Sequence, residues 1–176
     1  LYKTSSGGTP SRKIKEYYVN GEIPWVKTKE LNNNYVLETD EKITKIALLK
    51  SSAKVFPKNT TILAMYGATI GKLGILSIDS TTNQACCAFL EKDTNCSSYY
   101  IFQYLLNNQL ELKNSAFGGA QPNISQTTIN NLNILRPVDD LLSKYNQKIH
   151  PIFNQILVLQ KSNIFLVKTS EMLLPH

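Results

Sequence analysis

The run Gly67-Ala68-Thr69-Ile70-Gly71-Lys72 has the glycines and closing lysine of a loop that could hold phosphate oxygens on backbone amides. A nucleotide-binding P-loop needs one more residue between its glycines. It also needs a Ser or Thr after the lysine for magnesium, and Leu73 stands there instead. Two readings of the run remain. It is a tight turn between Tyr66 and Leu73 that brings amides and Lys72 up to a ligand, or a hairpin that only reverses the chain. Nuclease chemistry would need clustered carboxylates around a metal. Glu111-Leu112-Lys113 has an E-x-K spacing, but it falls at the end of an expected helix with no suitable Asp on a preceding strand. Asp139 and Asp140 suit the first turn of a long helix, where they complement its dipole. Base methylation would need a glycine-rich cofactor loop and an Asn-Pro-Pro-Tyr-type tetrapeptide, and the chain has neither. With only His150 and His176, a histidine triad is out of reach. No catalytic residue, metal site or cofactor is expected.

What the residues can do is bind. Lysines supply phosphate contacts, while Asn, Gln, Ser, Thr and Tyr supply anchoring and base-edge hydrogen bonds. Gln121, Asn123 and Ser125 flank Pro122 in a polar loop leading into a helix start, an anion site or simply a capped terminus. Asn83 and Gln84 face the same choice between ligand and internal backbone partners. The charge is located. Residues 1–72 carry 12 Lys/Arg against 6 Asp/Glu, and residues 73–176 carry 7 against 7, so the whole excess of +6 lies in the first part. A basic half suits a polyanion or is a solvated face.

Those residues need a frame. Residues 23–26, 53–56, 60–66, 73–78 and 84–90 read as strands, with a turn at 79–81. Residues 43–49 read as a short helix, 97–112 as the best helix of this part with Ser97 or Ser98 as N-cap, and 125–131 as a short helix capped by Ser125. A strand is expected at 132–135. Strands at this density suggest an α+β domain built on a curved mixed sheet or a small β-barrel-like body with flanking helices. Trp25 is expected in the core or as a loop anchor. After Arg136-Pro137 the character changes. Leu142, Tyr145, Ile149, Ile152, Ile156, Leu159, Asn163, Leu166, Ser170 and Leu173 step by three and four, a heptad seam with Asn163 and Ser170 in one of its two series. One long helix kinked at Pro151 is expected, about 52 Å from Asp139 to Leu173. Such a rod needs a partner helix, and Leu142, Ile149, Ile152, Ile156, Leu159 and Leu166 are its expected interface. The boundary is expected after residue 136, giving domains 1–136 and 137–176.

Cys86, Cys87 and Cys96 form no C-x-x-C pair, and the adjacent two would point to opposite faces of a strand. A reduced, cytoplasmic protein is expected, and no apolar run approaches the roughly 20 residues that cross a bilayer. No signal peptide is seen, and a chain opening on Leu1 is expected to be a fragment or a processed product.

The order Gly8-Thr9-Pro10-Ser11, Ile23-Pro24-Trp25-Val26, Ser52-Ala53-Lys54, residues 57–60, Met65-Tyr66 with the glycine run, Thr82-Asn83-Gln84-Ala85 and Gly119-Ala120-Gln121-Pro122-Asn123-Ile124-Ser125 resembles the target recognition domain of type I restriction-modification specificity subunits. The resemblance implies a non-catalytic module that reads one half of a split DNA target. It also implies modification (methyltransferase) and restriction subunits as partners. In that family two recognition domains are held apart by two antiparallel spacer helices. Only one of each is present here, so a second set would come from the same longer chain or by self-association. Expected DNA-binding residues are Thr9, Ser11, Arg12, Lys27, Lys29, Tyr66, Lys72, Gln84, Gln121 and Asn123. Lys27, Lys29 and residues 32–34 are expected to tune preference, as an irregular stretch free to vary. The alternative is a protein-interaction module, assembling through its coiled-coil helix while the basic domain binds an acidic partner.

Overall fold

The computed structural model describes residues 1–93, 95–116 and 122–173. In chain order the first half contains β1 (Tyr2–Ser6), β2 (Ile23–Val26), β3 (Asn34–Val36), β4 (Lys42–Ile43), α1 (Lys45–Lys50), β5 (Val55–Phe56), β6 (Thr61–Ala64), β7 (Leu73–Leu76), β8 (Ser80–Thr82) and β9 (Cys86–Glu91). Then come α2 (Ser98–Asn107), α3 (Gln109–Ser115), α4 (Gln126–Asn130) and α5 (Asp139–Leu173). The chain folds as two units, the first ending at Arg136 and the second beginning at Pro137.

The first unit is α+β and carries two mixed sheets. One runs β1-β9-β6-β7-β3 and the other β4-β2-β8-β5. Parallel pairing occurs in β3 with β7 and in β2 with β8, and the remaining pairs are antiparallel. Neither strand order closes on itself, so the mixed-sheet expectation holds over the barrel-like one. Val26, Leu31, Val36, Phe56, Ile62 and Leu76 form one buried cluster; Tyr17, Trp25, Ile43, Ala47 and Ala53 form another. Trp25 is core, its Nε1–H donating to the Gly8 carbonyl at 3.0 Å.

Three expectations are corrected. Where a turn was expected at 79–81, residues 80–82 are β8, a strand whose Ser and Thr side chains are all buried between β2 and β5. The Thr81 hydroxyl donates to the Pro24 carbonyl, which is how so polar a strand tolerates burial. Residues 97–112 are two helices, α2 and α3, separated at Asn108. Ser97 occupies the N-cap of α2 without a side-chain cap bond; the Glu91 carboxylate accepts from the Ser98 N–H at 2.6 Å instead. Finally, residues 132–135 form no strand: the Tyr104 and Tyr100 hydroxyls donate to the carbonyls of Asn133 and Leu135, in place of a neighbouring strand. Ser125 caps α4 as expected, its hydroxyl accepting from the Thr128 N–H.

The second unit is α5, 35 residues with Pro151 inside it. At 1.5 Å per residue it is about 52 Å long. Along the seam Ile152, Leu159, Leu166 and Leu173 are exposed, as are Val158, Phe165 and Val167 outside it. Ile149 and Ile156 are partly buried, and Leu142 and Phe153 are buried. No helix among the described residues is long and apolar enough to cross a membrane.

Candidate nucleic-acid interface

The glycine run 67–72 forms the loop between β6 and β7. Gly67 and Gly71 both take positive φ, 83° and 78°, the left-handed region that costs other residues free energy. The Ile70, Gly71 and Lys72 N–H groups donate to Gly67, Ala64 and Thr69 carbonyls, so these amides hold the turn and are not offered to a ligand. The Lys72 side chain, on a partly buried residue, has no ion pair or hydrogen bond among the described residues. Asn33 clamps the loop from outside. Its backbone, at φ 56°, donates to the Leu73 carbonyl at 2.7 Å, and its Oδ1 accepts from the Leu73 N–H (3.0 Å) and from Gln109 Nε2 (2.9 Å). Gln109 Nε2 also donates to the Gly71 carbonyl at 2.7 Å. Residues 32–34 are therefore not a freely variable stretch: Asn33 is a structural clamp and Asn34 opens β3. Their polarity serves a fixed turn, not a loose one.

Beyond the loop, four expected contact residues converge. Met65 donates to the Ala85 carbonyl and accepts from the Ile124 N–H, which places Tyr66 between two segments remote in sequence. Tyr66 forms a bridge with Asn123, and its hydroxyl donates to the Gln84 carbonyl at 3.4 Å. The Gln84 N–H reaches Thr9 Oγ1 at 3.5 Å. All four residues are exposed. Thr9 is held there because Gly7 and Gly8 donate to Cys86 and Thr82 carbonyls. A Cβ on Gly7 would lie 2.1 Å from Thr82 Oγ1, so only glycine allows this approach. Beside Gln84, Asn83 Oδ1 is buried and has no hydrogen-bond partner among the described residues. Gln121, with residues 117–120 of its loop, lies outside the described residues.

The expected basic contacts form a second, different group. Arg12 makes a two-pronged ion pair with Glu41, and Lys27 Nζ pairs with the same carboxylate. The Arg12 guanidinium lies over the rings of Tyr18 (4.3 Å) and Trp25 (4.9 Å). Lys29 pairs with Asp40 at the surface, and Ser11 is exposed beside Arg12. Arg12, above all, and then Lys27 hold the Glu41 carboxyl down to about 2. No local pattern in the sequence marks Glu41 or Tyr18 for this group, because three segments from residues 12 to 41 meet only in the fold. Of the 12 basic residues in 1–72, three are thus ion-paired among the described residues and nine are not. The cysteines do no visible chemistry: all three are free and buried, and burial pushes the Cys87 thiol up to about 12.

The family model described as the type I restriction modification DNA specificity domain matches residues 1–164. A Methanocaldococcus jannaschii protein, the type I restriction enzyme MjaIX specificity subunit, is 30% identical over 94% of this chain and 40% of its own length. The type I restriction enzyme HindI specificity subunit of Haemophilus influenzae is 26% identical over 97% of this chain and 37% of its own. The chain thus spans about two-fifths of these curated relatives. Among solved structures, the HsdS subunit from Thermoanaerobacter tengcongensis superposes with TM-score 0.61 at 15% identity, over 92% of this chain and 37% of that one. A chain from a structure on assembly and conformational transition of the type I R-M system gives 0.62 at 14%, over 98% and 41%. These two likenesses establish the fold.

Proposed function

Because the chain belongs to the type I restriction-modification DNA specificity family, we propose that it reads one half of a split duplex target and guides a modification and restriction complex to it. The observation that carries this reading is the convergence of Thr9, Tyr66, Gln84 and Asn123, four segments far apart in sequence that present hydrogen-bonding side chains together at the surface. Direct readout needs such groups on a fixed frame. Phosphate positioning falls to Lys72 and the other unpaired lysines of residues 1–72, with Ser11 beside them. Arg12, Lys27 and Lys29 are engaged in ion pairs with Glu41 and Asp40. The module itself is non-catalytic; methylation and cleavage belong to modification and restriction partners. Its helix, through Leu142, Ile149, Ile152, Ile156, Leu159 and Leu166, pairs with a second spacer helix from another copy or from the same longer chain.

Fluorescence anisotropy on a labelled duplex tests the reading. Alone, the chain should bind mixed-sequence DNA in the non-specific range, roughly 10⁻⁴ to 10⁻⁶ M at physiological salt, and lose affinity steeply as salt rises. Affinity indifferent to salt would remove the electrostatic part. With a modification subunit added, footprinting should reveal one protected sequence, and uniform protection would remove the readout.

A further inference from the structure

The cage around Glu41 is built from groups that a DNA phosphate would want. Glu41 offers its two carboxylate oxygens to Arg12 and Lys27, as a phosphate would offer two of its own. Around it Arg12, Lys27 and Lys29 face Glu30, Asp40 and Glu41, so a surface that looks basic in sequence is locally neutral. The cations are held without Glu41. Arg12 stays on the Tyr18 and Trp25 rings, and these are fixed by hydrogen bonds to the Pro10 and Gly8 carbonyls. The Lys27 backbone N–H is held by the Glu30 carboxylate at 2.8 Å, and its Nζ lies 6.0 Å from the Trp25 ring centre. The Glu41 backbone is pinned too, its carbonyl accepting from the Trp25 N–H and the Thr39 hydroxyl. Only its side chain is free to swing. The Arg12 side chain is 52% exposed and that of Glu41 31%, so an anion can reach the pair from solvent.

We propose that Glu41 is an internal competitor for DNA phosphate, keeping Arg12 and Lys27 closed to a non-specific duplex until a correctly seated target phosphate replaces its carboxylate. This rests on the DNA-reading function proposed above. The Arg12–Glu41 pair lies at an open surface and contributes little stability, so a seated phosphate meets Arg12 first and then Lys27, whose side chain is only 17% exposed. A passing duplex gains nothing from the cage, while a docked one gains two preorganised cations. Glu41 would then raise specificity by suppressing the competing mode, without touching a base.

The test is Glu41→Gln in the full chain, titrated with a mixed-sequence 30-base-pair duplex at several salt concentrations. Each freed phosphate contact adds about 0.9 to the log–log salt slope, so two add about 1.8. Between 50 and 200 mM salt the variant should lose about tenfold more affinity than the parent. Adding Arg12→Gln to Glu41→Gln should take back about half of the added slope. A folded Glu41→Gln chain with the parent's slope overturns the proposal. If that variant does not fold, Glu41→Asp, too short to span both cations, should still steepen the slope by about 0.9. Failure of both to fold would make the cage structural and overturn the proposal as well. A parent chain with no salt-dependent duplex binding would instead sink the DNA-reading function itself, and the competitor role with it.

Discussion

Asn33 should be the most costly polar side chain to remove from the recognition unit. At φ 56° its backbone lies where alanine is disfavoured by about 1 kcal/mol relative to Asn or Gly. Its Oδ1 satisfies the N–H of fully buried Leu73, and an orphaned buried donor costs about 2 kcal/mol. Asn33→Ala should therefore destabilise by about 3 kcal/mol and Asn33→Gly, which relieves the backbone only, by about 2. Asn33→Asp keeps the acceptor and the left-handed tolerance, and should cost under about 1 kcal/mol. At roughly 3 °C per kcal/mol for a unit of this size, the melting temperature should fall by about 9, 6 and under 3 °C. The single tryptophan, Trp25, is buried, so its fluorescence in a urea titration reports unfolding of the unit. Equal losses for Ala and Gly would refute the backbone part of the reasoning. Losses below about 0.5 kcal/mol for both would refute the clamp.

Lys72→Ala should weaken binding to every duplex alike and flatten the salt slope by about 0.9; a changed sequence preference would contradict phosphate contact. The parent chain should show helix pairing in sedimentation at tens of micromolar and Leu159→Asp should abolish it; two monomeric samples with intact helix would end the spacer-helix assignment for this chain. The Glu41 carboxyl is lowered from 4.5 to about 2 in the folded state, so its contribution is full above pH 4.5 and lost as pH falls toward 2. Screening at this open surface leaves about 1 kcal/mol, the amount by which Glu41→Gln should lose less stability than the parent between pH 5 and pH 2 in urea titrations.

Elements with strong local signals were legible in the sequence. The strand at 23–26 is β2, Ser125 caps α4, and the heptad spacing carries α5 on through Pro151. What was hidden depends on partners distant in sequence. β8 reads as a turn because Ser80, Thr81 and Thr82 are polar, and only flanking strands and the Pro24 carbonyl make their burial tolerable. Residues 132–135 read as a strand because their alternation is right, yet two tyrosine hydroxyls from α2 take their carbonyls. The site divides the same way. Thr9, Tyr66, Gln84 and Asn123 were legible as polar contact residues, but not as neighbours. Arg12 and Lys27 were legible as cations, whereas their neutralisation by Glu41 lies in no local pattern.

The pairing of β1 has a consequence for how the unit comes to exist. Tyr2 sits opposite Glu91, and the Thr4 hydroxyl donates to Asn130, 126 residues away. Contacts that span so much chain are slow to find, since a long loop must close before either end gains anything. The strand of this unit that leaves the ribosome earliest must therefore wait for the last helices of the unit. Until it docks, one edge of β9 has unpaired amides and carbonyls, and that edge is the place where a half-made molecule would stick to its neighbours.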